Sequence, residues 1–215
     1  MWIRRTNGPL IILDFDGVIA DSGQVYLDMF MGVCRELGVD QFQTKDDFLK
    51  LFEGNAIRSL VRMGFPLWRL KRLFQEFKPR IDQANQHVRP FEGMPEVLSQ
   101  LAQRHPVYIV TSNATDHAQS FLERFGVTGV RGVIGGDEEP SKVKRIRKVR
   151  RRHRGRTPYY IGDTKGDMRE ARRARAVPVA ITWGWHPIEK LEEGRPEHVF
   201  DSPAAMRAFF LERAQ

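Results

Sequence analysis

From Glu96 onward, short apolar runs alternate with longer amphipathic stretches, and this alternation constrains the fold more than any other feature. Apolar spacing predicts helices over 96–104, 115–125, 141–152, 168–174 and 203–213. Between them, Val107 to Val110, Pro158 to Ile161 and Val177 to Ile181 read as strands, with a weaker strand over 132–134. Another strand precedes them all: Pro9-Leu10-Ile11-Ile12-Leu13 is apolar at every position, the pattern of a strand buried on both faces. Strands separated by helices form a parallel sheet with helices on either side. The expected fold class is therefore α/β, a Rossmann-like parallel sheet between helices.

Residues 21–88 break that rhythm. Val25, Leu27, Met29, Phe30, Val33 and Leu37 follow helical spacing up to Gly38, and nothing from Thr44 to His87 alternates as a strand does. Pro66 suits the first turn of another helix, which would bend at Pro79. The Pro/Gly cluster at 89–95 marks the return. The chain thus reads as a core of residues 1–20 and 89–215, with an α-helical cap of residues 21–88 inserted after the first strand.

Composition narrows the class. With 41% hydrophobic and 29% charged residues, the 215-residue chain has the makings of a buried core, which argues against disorder. No apolar run approaches the roughly 20 residues of a membrane helix, and the N-terminal run is too short for a signal peptide. A cytoplasmic protein with no membrane partner is expected. The single cysteine, Cys34, excludes an internal disulfide and reads as a small core residue. The net charge of +8 favours an anionic partner without choosing among them.

Open parallel sheets bind ligands beyond the carboxyl ends of their strands, so the residues that follow each strand carry the functional reading. These are Asp14 and Asp16, then Thr111, Ser112 and Asn113, then Asp163 and Asp167, with Lys142 opening the basic helix. Neighbouring carboxylates repel one another unless a cation lies between them. Oxygen ligands of this kind suit Mg²⁺. A carboxylate can attack phosphorus, a lysine can offset charge on the transferring group, and a second carboxylic acid can protonate the leaving oxygen.

Asp14-Phe15-Asp16-Gly17-Val18-Ile19-Ala20-Asp21-Ser22 resembles the first motif of the haloacid dehalogenase superfamily. Thr111 after its strand resembles the second motif, Lys142 the third and Gly162-Asp163-Thr164-Lys165-Gly166-Asp167 the fourth. The helical insertion is similar to the small cap of the phosphoglycolate phosphatase-like branch. This resemblance implies that Asp14 is the nucleophile and a metal ligand. Asp16 would be the acid/base, with its backbone carbonyl on the metal, and Asp163 the other carboxylate ligand. Asp167 would support the site, while Thr111, Ser112, Asn113 and Lys142 would hold the phosphoryl group. Lys144 is the alternative to Lys142. The implied activity is Mg²⁺-dependent hydrolysis of a small phosphorylated metabolite through an aspartyl-phosphate. Members that cleave carbon–halogen bonds lack the second aspartate, so Asp16 favours phosphoryl transfer.

A sugar-phosphate mutase shares all four motifs and is the alternative enzyme. A different class is a nucleic-acid-binding protein using the basic helix of residues 142–156. The absence of stacking aromatics from that run makes nucleic acid the less expected partner. Its basic residues are expected to cover a solvated helix face. Thr182 to Pro187 follow the last clear strand and are expected to serve loop packing, with shaping of the site as the alternative, and Glu53-Gly54-Asn55 and Arg58 are the cap candidates for substrate contact. His87, His117 and His186 receive no catalytic duty. The substrate's alcohol part and the oligomeric state stay open.

Overall fold

A computed structural model describes residues 8–53 and 56–213. The chain divides into two compact units, Met1–Ala20 with Pro90–Gln215, and Asp21–Arg89.

The first unit is built on strands β1 (Pro9–Leu13), β4 (Val107–Val110), β5 (Gly132–Ile134), β6 (Thr157–Gly162), β7 (Val177–Ile181) and β8 (His198–Phe200). They form one sheet in the order β5-β4-β1-β6-β7-β8, and every neighbouring pair is parallel. Short strands β2 (Ala20–Asp21) and β3 (Arg89–Pro90) pair separately where the chain leaves and re-enters this unit. The helices of the unit are α5 (Met94–Arg104), α6 (Thr115–Arg124), α7 (Lys142–Arg152), α8 (Lys165–Ala174), α9 (Ile188–Glu193) and α10 (Pro203–Glu212).

All five residues of β1 are buried because side chains alternate between two covered faces. Leu10 and Ile12 share one cluster with Val143, Ile146 and Val149 of α7 and Ala171 and Ala174 of α8. Each buried methylene there contributes about 0.8 kcal/mol. The register sets Leu13 opposite both Ile109 of β4 and Ile161 of β6. Three strands therefore end at one level, roughly 4.8 Å apart, and the residues just beyond them must share one edge.

The second unit contains α1 (Gly23–Glu36), α2 (Lys45–Lys50), α3 (Ala56–Arg62) and α4 (Leu70–Asn85). Phe30 lies at its centre, with ring centroids 5.4 Å from Phe42, 5.6 Å from Phe48 and 6.0 Å from Phe77. The Tyr26 hydroxyl donates to Asn85 Oδ1 at 2.7 Å, tying α1 to α4. Helix α4 follows a short 3₁₀ turn (Leu67–Arg69) and continues through Pro79. Another 3₁₀ turn (Leu51–Glu53) follows α2; Gly54 and Asn55, two of the cap candidates, lie outside the described residues. No described helix is long and apolar enough to cross a membrane.

Candidate active site

Asp14 follows β1, and its loop turns tightly back on itself. Gly17 N–H donates to Ala20 O at 2.9 Å and Ala20 N–H to Phe15 O at 3.0 Å. The turn needs glycine twice over. Gly17 has φ +75°, and a Cβ there would collide with the Asp163 carboxylate. Gly184 presses on Asp163 from another side, and a Cβ there would meet the Asp163 Cβ and Gly17 O. Two bare backbones thus leave room for one buried carboxylate. The backbone N–H of Trp185 donates to Asp163 Oδ2 at 2.8 Å, and that of His186 to Asp163 O at 3.3 Å. Residues 184–186 therefore position Asp163. His186 Nδ1 also accepts from Lys165 N–H at 3.2 Å.

Asp167 is held by α8. Thr164 and Asp167 form a reciprocal capping box at the helix N-terminus. The Thr164 hydroxyl donates to Asp167 Oδ2 at 2.6 Å, leaving Oδ1 to face Lys142. Apolar spacing predicts that this helix starts at Met168, but it starts at Lys165. Its first turn is polar and is fixed by the cap. The Thr164-x-x-Asp167 spacing is the sequence signal for that earlier start.

One oxygen from each of Asp14, Asp163 and Asp167 lies within 4.8 Å of the other two. Lys142 Nζ stands 2.7 Å from Asp14 Oδ2, 2.9 Å from Asp167 Oδ1 and 3.8 Å from Glu170 Oε2. Lys144 instead faces Glu139 at 3.4 Å, with its side chain 68% exposed, so Lys142 is the lysine among the carboxylates. Asp16 Oδ2 accepts from Asn113 Nδ2 at 3.4 Å, which joins the loops after β1 and β4. Thr111 is buried, and its Oγ1 accepts from Asn113 N–H at 3.0 Å. Ser112 is exposed.

The basic helix departs from expectation at Arg145. Its basic residues were expected to cover a solvated face, yet Arg145 is 1% exposed and its guanidinium donates to Thr111 O. A buried carbonyl needs a donor, and this one braces the loop after β4. Tyr160 was also missed. Its hydroxyl lies 3.4 Å from Asp167 Oδ1 and 3.5 Å from Val110 O; nothing in the strand pattern separates it from an ordinary core tyrosine.

Charge balance in this pocket is poor without a cation. Burial raises the Asp14 carboxyl to about 7, Lys142 pulls it back only partly, and Asp167 pushes it up again. Burial, followed by Asp167 and Asp14, holds Asp163 well above the carboxylate range. For Asp167 burial acts upward too, but Lys142 and Thr164 outweigh it and hold it below its ordinary value. Burial would lower the Lys142 ammonium, yet Asp14 and Asp167 hold it well above normal. The three clustered carboxylates thus have one ammonium beside them, and it pairs with Asp14 and Asp167. The donor set is all oxygen, and a hard divalent cation fits both its chemistry and its missing charge.

A family model described as haloacid dehalogenase-like hydrolase matches residues 11–181. The chain belongs to the haloacid dehalogenase-like hydrolase family. A phosphoglycolate phosphatase from Synechococcus elongatus is 26% identical over 90% of this chain and 93% of that protein. Another from Agrobacterium fabrum is 25% identical over 97% and 95%. A solved haloacid dehalogenase-like hydrolase from Streptococcus pneumoniae superposes with a TM-score of 0.81 at 25% identity, covering 95% of this chain and 99% of that one. The hydrolase falls in the phosphoglycolate phosphatase-like branch, and its enzyme class is phosphoric monoester hydrolase.

Proposed function

We propose that this hydrolase is a Mg²⁺-dependent phosphatase acting on a small phosphorylated metabolite through an aspartyl-phosphate on Asp14. The observation that carries this reading is the convergence of Asp14, Asp163 and Asp167 on one another, with the Lys142 ammonium beside Asp14 and Asp167. Asp14 and Asp163 would hold Mg²⁺ through their carboxylates and Asp16 through its backbone carbonyl, with Asp167 in support. The bound cation offsets negative charge on the phosphoryl oxygens.

The chain's own residues account for the rest. An Asp14 oxygen attacks phosphorus, and the bond from phosphorus to the leaving alcohol oxygen breaks as Asp16 delivers its proton to that oxygen. Asp16, now ionised, takes a proton from a water molecule. That water attacks the phosphoryl-aspartate, phosphate leaves, and Asp14 is restored. Lys142 offsets charge on the transferring group. Thr111, Ser112 and Asn113 hold its oxygens. Thr111 Oγ1 already accepts the Asn113 N–H, so its own hydroxyl hydrogen can be donated to substrate. Residues 21–88 would serve as the cap, the part of the chain that chooses among substrates.

The test is phosphate release from a panel of phosphorylated metabolites, 2-phosphoglycolate first, with and without Mg²⁺. Asp14→Asn should abolish turnover while the fold persists, and acid-quenched parent enzyme should carry a phosphoryl adduct on the peptide containing Asp14. Full activity of that variant sinks the nucleophile assignment. An isomerised product in place of free phosphate points to a mutase.

A further inference from the structure

Helices α7 and α8 each bring one residue to the active site at their first turn, then run away from it. Lys142 and Arg150 are eight positions apart on α7, about 12 Å along a helix axis. At this far end four arginines gather: Arg147, Arg150 and Arg151 from α7, and Arg175 at the end of α8. A bond from the Arg147 guanidinium to Arg173 O joins the two helix ends. Among the described residues, no carboxylate lies within 4.0 Å of any of these four guanidiniums. Lys144 and Lys148, also on α7, do have partners in Glu139 and Glu138.

Two costs attend the cluster. Burial holds Arg150 below its ordinary value, and the charges of Arg175, Arg147 and Arg151 push it further the same way. Arg175 also has φ +60° as the C-cap of α8, a left-handed conformation that suits glycine. A side chain there is strained. The negative ends of two helix dipoles offset part of the repulsion but give no reason for an arginine at a glycine position. A bound polyanion would supply one.

The surroundings select which polyanion. The apolar residues of α7, Val143, Ile146 and Val149, are all buried in the core. Among the described residues of this unit, Val199 on β8 is the exposed large hydrophobic. A protein interface is usually anchored by buried aromatics. A membrane-surface helix inserts an apolar face, and a single strand stacks its bases on rings. The arginine cluster offers none of these. Guanidiniums fixed on helix ends suit phosphate oxygens. We propose that the carboxyl-terminal ends of α7 and α8 form a docking surface for the sugar–phosphate backbone of a nucleic-acid duplex, separate from the catalytic centre and independent of its reaction.

The experiment is fluorescence anisotropy of the full chain with short blunt-ended DNA and RNA duplexes. Contact with four phosphates would weaken binding on the order of 100-fold between about 50 and 200 mM salt. The triple variant Arg150→Gln, Arg151→Gln, Arg175→Gly should bind at least tenfold more weakly and show a shallower salt slope. Hydrolysis of a generic aryl phosphate by that variant should be unchanged. Arg175→Gly alone should bind less tightly yet melt at a higher temperature, which separates lost charge from lost fold. Three results would overturn the proposal: no salt-sensitive binding to either duplex, unchanged binding by the triple variant, or equal binding of a single strand. Capture by anionic vesicles or polyglutamate in place of duplex would overturn it too.

Discussion

At the scale of single residues, the site is governed by one imbalance: three buried carboxylates cluster where one ammonium pairs with two of them. Asp163 feels this most, because burial and two neighbouring acids oppose its charge. Asp163→Asn removes that opposition and keeps an oxygen for the Trp185 N–H. In chelator, the variant should melt a few degrees above the parent. Added Mg²⁺ should raise the parent's melting temperature, since a ligand of the native state stabilises it, and leave the variant's unchanged. Thermal melts with and without Mg²⁺ check both expectations. Gly17→Ala tests the space rather than the charge. A methyl group at φ +75° is strained, and it collides with Asp163. Activity should fall on the order of 100-fold, the scale of a displacement of about 1 Å in a catalytic group, and Mg²⁺ should no longer shift the melt.

At the scale of elements, two capping boxes of the same kind serve different ends. Thr164 with Asp167 caps α8 in the site, and Thr44 with Asp47 caps α2 in the helical unit. Loss of either cap should cost about 1 kcal/mol of stability. Thr164→Ala also frees Asp167 from a bond that aims it at Lys142, so activity should fall roughly 10-fold, the lower end for lost support of a ligand shell. Thr44→Ala should leave the kinetics alone, and Thr164→Ser should restore most of both properties. Melting curves beside steady-state kinetics separate the two roles.

At the scale of the whole molecule, several imidazoles tie stability to pH. His105 is 4% exposed, with Nε2 2.9 Å from Phe210 O; His153 meets the Tyr108 hydroxyl at 2.9 Å. Burial is the largest cause holding both below the ordinary histidine value, and it does the same at His198. The folded state thus prefers them neutral and binds fewer protons than the unfolded chain. Their contribution is complete above the unfolded value of about 6.5 and is lost as pH falls through the window beneath it. Asp14, raised to about 7, has the opposite slope over part of that range. Comparing parent with His105→Gln isolates the imidazole, and the parent should lose more stability than the variant between pH 7 and 5. Equal losses would remove His105 from the account.

The sequence by itself determined the α/β class, because fully apolar β1 and the strand–helix alternation after Glu96 admit little but a covered parallel sheet. It also singled out Asp14, Asp16, Asp163 and Lys142 as chemically special, since each follows a strand or opens a helix. Elements too short for periodicity were not legible: the six residues of α9 and the three of β8 went unread. Only the tertiary structure decided which basic residues of α7 are buried, which lysine stands between Asp14 and Asp167, and that Trp185 N–H reaches Asp163. Those outcomes depend on distances between segments that no local pattern encodes. Sheet register fixes the distances, and register follows from packing the whole core.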